Sequence, residues 1–332
     1  MRASTAKWYG VFFLLMAILP FLFAHVGLDG GGRYQINVLN DIGIYALLGL
    51  SLNIILGDTG LFSMGHGAFY AMGAYTSAIL NTKLAIPILY TLPLAGCVAA
   101  FFALLVTMPT LHLRGDYLLL VTIGIVEVVR IVLTNDVGGL TGGANGIAGI
   151  ARPEIFGLRI VRPEQFFYLI WGFVAVTVVL FSMLSHSRFG RALNFIKRDE
   201  LAAAGNGINT YLYKLMAFVL GAFWAGMAGT LFAAKMKFIS PEAFSYSQSA
   251  LMFAMVFLGG AGSIPGVILG SFMLIGLPEL FRDLADARVM FFGLAMVVMM
   301  LFRPQGFIPA RPRKYRFTPL RSSPNAQDGA NP

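Results

Sequence analysis

Long runs of apolar residues, separated by short clusters of glycine, proline and charge, recur along most of this chain. They lie near 8–28, 36–56, 64–81, 86–108, 117–134, 165–185, 210–233, 248–260, 264–281 and 288–303, and none alternates apolar with polar. Such runs predict helices that cross a hydrocarbon layer of about 30 Å, because a helix satisfies its backbone polar groups internally. A membrane β-barrel would alternate instead. The pattern predicts an all-α polytopic membrane protein of about ten transmembrane helices. Residues 1–310 read as one transmembrane domain and 311–332 as a basic, disordered cytoplasmic tail.

Composition agrees. Hydrophobic residues make up 58% of the 332 residues and charged ones 12%, against about 25% charged in soluble domains. The net charge of +9 would suggest nucleic acid in a soluble protein. Here the cations sort by side of the membrane. Arg2, Lys7, Arg114, Arg188, Arg191, Lys197, Arg198, Arg303, Arg311, Arg313, Lys314, Arg316 and Arg321 fall in segments that are cytoplasmic if the N-terminus is inside. The other side is thinly charged, so the positive-inside rule places both termini in the cytoplasm of a bacterial inner membrane. The basic tail then faces membrane lipids, and no nucleic acid is expected. The apolar stretch after Arg2 and Lys7 lacks a small-x-small cleavage site and reads as an uncleaved first span. Cys97 is the single cysteine, which excludes an internal disulfide; its apolar surroundings suggest a small core residue.

Two places interrupt the apolar pattern in the same way. "LGDTG" at Leu56–Gly60 is echoed by "LGGAG" at Leu258–Gly262, each followed by a serine and another glycine. Glycine-interrupted segments at matching places in two halves point to a transporter built on internal repeats; both breaks face the same side, which suits a parallel repeat. The first runs into "SMGHGAFYAMGAY", where His66 stands between Gly65 and Gly67. His66 has no Cys, Asp or Glu at ligand spacing, so no metal is expected, and nothing nearby completes a proton relay. The expected role is a hydrogen bond to backbone freed by the glycines, holding a broken helix end beside a cavity.

Polar groups inside spans are candidates for a translocation path, since an isolated charge at the bilayer centre is costly. Asn37, Asp41 and Tyr45 form one stripe at i, i+4 and i+8, open to either solute or helix packing; Asp41 could face Arg130 or an aqueous vestibule. Glu127 and Arg130, at i and i+3, are placed to neutralise each other. Gly221, Ala225 and Gly229, with Ala222 and Gly226, form a close-packing face. "GGLTGGANGIAGI", containing Thr141, Gly142, Gly143 and Asn145, resembles a phosphate cradle in composition. It lacks the Lys-Ser/Thr ending of a P-loop and is expected to be a mobile outer loop.

The connector at about 186–209 carries two short helix signals. Ser187 can cap one bearing Phe189, Leu193 and Ile196, and Asp199 can start an Ala-rich turn closed by Gly205 or Gly207. Small side chains flanked by Arg191, Lys197, Arg198, Asp199 and Glu200 suit docking on a polar partner surface.

The chain resembles the permease subunits of branched-chain amino acid ABC importers, the Liv type and its LivM branch in particular. The resemblance runs from Asn40 to Pro304 and rests on "SMGHGAFYAMGAY", "RGDYLLLVTIGIVEVVR", "LTGGANGI", "GRALNFIKRDELAAAGNGIN", "KLMAFVLGAFWAGMAGTL", "GGAGSIPGVILG", "LPE" at Leu277–Glu279 and "RPQG" at Arg303–Gly306. It implies that Arg191–Asn209 is the segment coupling the permease to its ATPases. Of the importer pattern E-A-A-x-x-x-G, Ala202, Ala203 and Gly207 fill the last three fixed positions; Leu201 stands in the glutamate's place, with Glu200 one earlier. No GxxxxGK[ST] occurs in the chain. A non-catalytic permease is therefore expected, binding no cofactor itself, with ATP and Mg on two partner ATPase subunits. A second, LivH-like permease and a periplasmic solute-binding protein complete the implied assembly. The solute would be a branched-chain amino acid or a similar small polar molecule such as urea, an amide or an aromatic acid. An ion-coupled secondary transporter is the rival reading and would need an isolated carboxylate in the path, for which Asp41 is the candidate.

Overall fold

The computed structural model describes residues 31–280 except 114, 137, 156 and 157, together with isolated residues between 10 and 20 and between 293 and 303, and residues 306–309. Apart from those isolated residues, the spans expected at 8–28 and 288–303 lie outside the described residues. So do Arg2, Lys7, Arg114 and the 311–332 tail.

The described chain is mostly helical. Its elements are α1 (Gly31–Asn53), continued by a π turn (Ile54–Asp58), then α2 (His66–Leu84), α3 (Ile88–Thr110), α4 (Asp116–Thr134), α5 (Pro163–His186), α6 (Arg188–Arg198), α7 (Glu200–Gly205), α8 (Thr210–Met236), α9 (Tyr246–Gly259), α10 (Ile264–Ser271), a second π turn (Phe272–Gly276) and α11 (Leu277–Leu280). Two-residue strands occur only in the connections. β1 (Ile147–Ala148) pairs antiparallel with β4 (Phe238–Ile239), and β2 (Glu154–Ile155) with β3 (Leu158–Arg159).

Among the described residues, five helices are long and apolar enough to cross a membrane: Gly32–Asp58, Ile88–Thr110, Asp116–Thr134, Pro163–His186 and Thr210–Met236. This supports an all-α, multi-pass membrane protein. α2 has 19 residues but carries His, Ser, Thr and Asn among its apolar ones, and most of its surface is enclosed by other helices. The run at 248–260 forms α9, which turns back antiparallel onto α10, and the helix begun by α10 continues to Leu280 at the edge of the described residues. α9 has 14 residues, about 21 Å of helix at 1.5 Å per residue, short of the roughly 30 Å hydrocarbon layer.

The expected packing face on α8 exists. A Cβ at Gly221 would lie 3.0 Å from the Ser51 carbonyl, at Gly226 2.8 Å from the Ala95 carbonyl, and at Gly229 2.7 Å from the Ala74 amide. α8 thus lays bare backbone against α1, α3 and α2, and any side chain at those positions would force the helices apart. α1 is the other inner element: 83% of its apolar window is buried, against 28% for α4. Cys97 is exposed on α3, not in the core. It lies on the outer face with the exposed Leu94, Val98 and Phe101, an apolar surface that suits lipid contact.

Candidate functional site

At one end of the bundle α1 stops and the chain turns back inward before α2 begins. The helix ends in the π turn Ile54–Asp58, and a helix end leaves its last carbonyls without partners. One of these, on Gly57, accepts a hydrogen bond of 2.6 Å from the Lys197 ammonium of α6. Another, on Ile55, accepts from the Thr59 hydroxyl, whose oxygen in turn accepts from the Leu61 amide at 3.2 Å. Gly57 must be glycine: a Cβ there would collide with Asn53 Oδ1 and with Gly262 of the second break. The Gly262 amide donates to Asn53 Oδ1 at 2.8 Å. The two glycine-rich interruptions therefore meet, and Lys197 reaches the first of them.

Residues 60–64 run non-helically into the bundle, where the Met64 amide donates to the Thr122 hydroxyl at 3.1 Å. α2 then starts at His66, which is buried. The helix break expected here is present, but His66 does not hold freed backbone. Its Nε2 lies 2.6 Å from Ser51 Oγ on α1. Ser51 also lies 2.8 Å from the Leu48 carbonyl, to which it donates. That assigns the Nε2 proton to His66 as donor and leaves Nδ1 buried with no partner among the described residues. Gly67 donates its amide to Ser249 Oγ on α9 at 3.1 Å, and a Cβ on Gly67 would collide with that hydroxyl. Gly65 packs against Thr122.

The connector forms the two expected helices. Ser187 caps α6 by accepting from the Gly190 amide at 3.3 Å, and Asp199 caps α7 by accepting from the Ala202 amide at 2.9 Å. α7 closes with Gly207 at φ 77°, Gly207 N–H donating to Ala204 O at 3.0 Å and Ile208 N–H to Ala203 O at 3.2 Å; this is a full Schellman closure. Of the two glycines considered, Gly207 provides it. Leu193 and Ile196 are buried under α6, and Phe189 stacks on Tyr213 at 5.6 Å. Partial burial at the break lowers the Lys197 pKa below the usual lysine value, an effect that the nearby Asp58 carboxylate opposes.

Three residues expected to face a partner do not stand free. Ala203 is fully buried within the chain, because it lies on the inner side of α7. The Glu200 carboxylate is held at 2.6 Å by Lys214 of α8. Arg191 is exposed but donates to the His186 carbonyl at 2.9 Å. Leu201 instead stands 80% exposed, beside the exposed Ala204 and Gly205.

The path candidates divide. Asp41 does not face Arg130: Lys235, in the last turn of α8, pairs with it at 2.5 Å and also donates to the Asn37 carbonyl at 3.1 Å, and the Asp41 side chain stays partly exposed. Tyr45 donates to Gln248 Oε1 at 2.7 Å. Glu127 and Arg130 pair at 2.8 Å as expected, and the second Glu127 oxygen accepts from the Tyr246 amide at 3.2 Å. The first turn of α9 thus gathers Tyr45, Gly67 and Glu127 from three other helices. Asn53, Lys235, Gln248 and Ser249 were missed by sequence reasoning, and Lys197, expected to face a partner, reaches the first break instead. A signal existed for two of them, since Gln248 and Ser249 are polar residues opening an otherwise apolar helix.

At the opposite end, the glycine-rich loop is not loose. Asp136 Oδ1 accepts from the Thr141 amide at 2.8 Å and the Gly142 amide at 3.0 Å, with Thr141 Oγ1 also 3.0 Å away. These bonds, the Thr141 amide first, lower the Asp136 pKa from its ordinary 3.8. Gly143 is buried, Asn145 is exposed, and the β1–β4 pairing ties the loop to the end of α8.

Residues 34–302 match the family model described as branched-chain amino acid transport system / permease component. The chain is 39% identical over 322 residues to the high-affinity branched-chain amino acid transport system permease protein LivM of Salmonella typhimurium, covering 89% of this chain and 74% of that protein. It is 41% identical over 293 residues to LivM of Escherichia coli, covering 80% and 68%. Escherichia coli LivH, also named a permease protein of that transport system, is 26% identical over 289 residues, 80% of this chain and 91% of LivH. No solved structure gives a significant match.

Proposed function

The chain belongs to the family of branched-chain amino acid transport permease components, and from that membership we propose that it is one permease subunit of an ATP-driven importer in the inner membrane. Its partners are a second, LivH-like permease, two ATPase subunits that carry ATP and Mg, and a periplasmic binding protein that presents the solute. Two sequence-related permeases in Escherichia coli, both similar to this chain, support the pairing. The relatives' names support a branched-chain amino acid as solute.

The single observation that carries the mechanism is Lys197. It belongs to the connector that presents Leu201, Ala204 and Gly205 outward, and it is hydrogen-bonded to the last turn before the first helix break. Closure of the ATPases on ATP would displace α6 and α7, and Lys197 would carry that displacement to Gly57. Through Gly57 it reaches Gly262 and the hairpin of α9 and α10. The secondary-transporter reading loses its candidate, because the Asp41 carboxylate is paired.

The test is reconstitution in proteoliposomes with the cognate partners and ATP-dependent uptake of leucine. Leu201→Arg is expected to release the ATPases or abolish solute-stimulated ATP hydrolysis; normal hydrolysis by that variant would remove the docking assignment. Orientation is checked in a Cys97→Ala background. Cysteine at Asn206 should label from the ATPase side, and cysteine at Ala144 from the other.

A further inference from the structure

We propose that the Asp41–Lys235 pair and the buried hydroxyl of Tyr70 form a subsite for a zwitterionic α-amino acid, an assignment that rests on the permease reading above and deepens it. The stripe on α1 passes from exposed Asn37 to partly covered Asp41 and Tyr45. Lys235 meets it from α8 at 2.5 Å, and the ring of the buried Tyr70 packs at 5.5 Å on Phe232, three residues before Lys235 on the same helix.

Opposite charges within apolar helices add little stability, because losing water offsets their attraction, and ionisable groups on transmembrane helices mark solute paths. The count of charges selects the ligand class. A solute with one charge could replace only one partner and would strand the other group without a counter-ion. An α-amino acid carries both charges on adjacent groups: its ammonium can take the Asp41 carboxylate while its carboxylate takes the Lys235 ammonium. Neither protein charge is then left alone.

A second observation points to the same place. The Tyr70 hydroxyl is buried and has no hydrogen-bond partner among the described residues. An unmade bond of that kind is unfavourable unless something else supplies the partner, and a solute carboxylate would. The Tyr70 ring packs against Phe244 at 5.0 Å and Phe232 at 5.5 Å, which gives an apolar wall for an aliphatic side chain. Tyr45 is fixed by Gln248 and closes the polar side.

The experiment measures uptake of radiolabelled L-leucine by the full reconstituted complex, normalised to assembled protein, beside thermal stability in detergent. Tyr70→Phe removes only the unpartnered oxygen. Stability should stay at or above wild type while uptake falls about tenfold. Asp41→Asn and Lys235→Met should each lower uptake about a hundredfold. The exchange of Asp41→Lys with Lys235→Asp keeps an ion pair but reverses its polarity against the fixed aromatic wall, so uptake should stay low. Wild-type uptake by Tyr70→Phe, or recovery in the exchanged variant, would show the pair to be structural and overturn the subsite. A wild-type complex that fails to import leucine would overturn the branched-chain solute assignment, and the subsite with it.

Discussion

The two glycine-rich breaks lie against each other and begin from similar sequence, yet they are held in different ways. The turn at residues 260–263 is closed mainly by its own backbone, with a single bond to another helix, from the Gly262 amide to Asn53 of α1. Gly260 and Gly262 adopt φ of 115° and 91°, and the Ser263 amide donates to the Gly260 carbonyl at 3.0 Å. Ser263 caps α10 by accepting from the Gly266 amide at 3.3 Å. Phe307 and Ile308 add amide bonds of 2.9 and 3.0 Å to the Leu258 and Gly259 carbonyls. The break at residues 54–65 has local bonds through Thr59 and Ser63 but is tied as well to groups from three other helices: Lys197 of α6, Thr122 of α4 and Ser249 of α9. A turn closed by local bonds keeps its shape when its neighbours move. A break tied to three other helices follows them. The turn at residues 260–263 is suited to act as a pivot and the break at residues 54–65 as the part that responds.

The sharpest way to break this comparison is to destroy the contact between the two. Gly57→Val would drive a branched side chain into Asn53 and Gly262. It should cost about 3 kcal/mol, read as loss of thermal stability and of monodisperse protein. Next comes Lys197→Met, which should lower the solute moved per ATP hydrolysed about tenfold, since a charged hydrogen bond is worth roughly 1.5–3 kcal/mol. Assembly should persist, and Lys197→Arg should retain most of the coupling; an unchanged stoichiometry in the methionine variant would end the transmission role. Gly67→Ala should reduce transport a few-fold by pressing on Ser249. Ser249→Ala should recover part of that loss, with a coupling of about 1 kcal/mol between the two sites. Ser263→Ala should cost about 1 kcal/mol of stability through the lost cap and leave transport unchanged. If it impaired transport more than Lys197→Met, the ranking of pivot and responder would be reversed.

The smallest effect lies far from both breaks and serves as a control. The Asp136 pKa is lowered in the folded chain, so its contribution is complete above the ordinary value of 3.8 and fades as pH falls through the lower folded value. Hydrogen exchange at the Thr141 and Gly142 amides should accelerate only under that acid condition. Asp136→Asn should show the acceleration at neutral pH.

Much of the helical fold was legible because length and continuous hydrophobicity are local properties. The caps at Ser187 and Asp199, the α8 packing face and the Glu127–Arg130 pair were legible for the same reason, each being set by residues a few positions apart. Partners far along the chain were not. Nothing near Asp41 announces Lys235, and nothing near Gly57 announces Lys197, because those pairings follow from how helices pack. Ala203 was misread since the importer pattern records which residues recur, not which side of α7 is covered. The shortness of α9 was missed because a buried apolar helix and a lipid-facing one have the same composition.

The bond between Gly262 and Asn53 joins residues 209 positions apart, and that between Tyr45 and Gln248 joins residues 203 apart. A ribosome adding about 5–20 residues per second takes roughly 10–40 s to cover such a distance. Through that interval α1 is already made while its polar groups wait for helices not yet synthesised. The nascent chain therefore passes through a period in which Asn53, Asp41 and Tyr45 must be sheltered from lipid by something other than their final partners. Stalling translation between residues 200 and 235 should prolong that period and expose the early helices to membrane quality-control proteolysis.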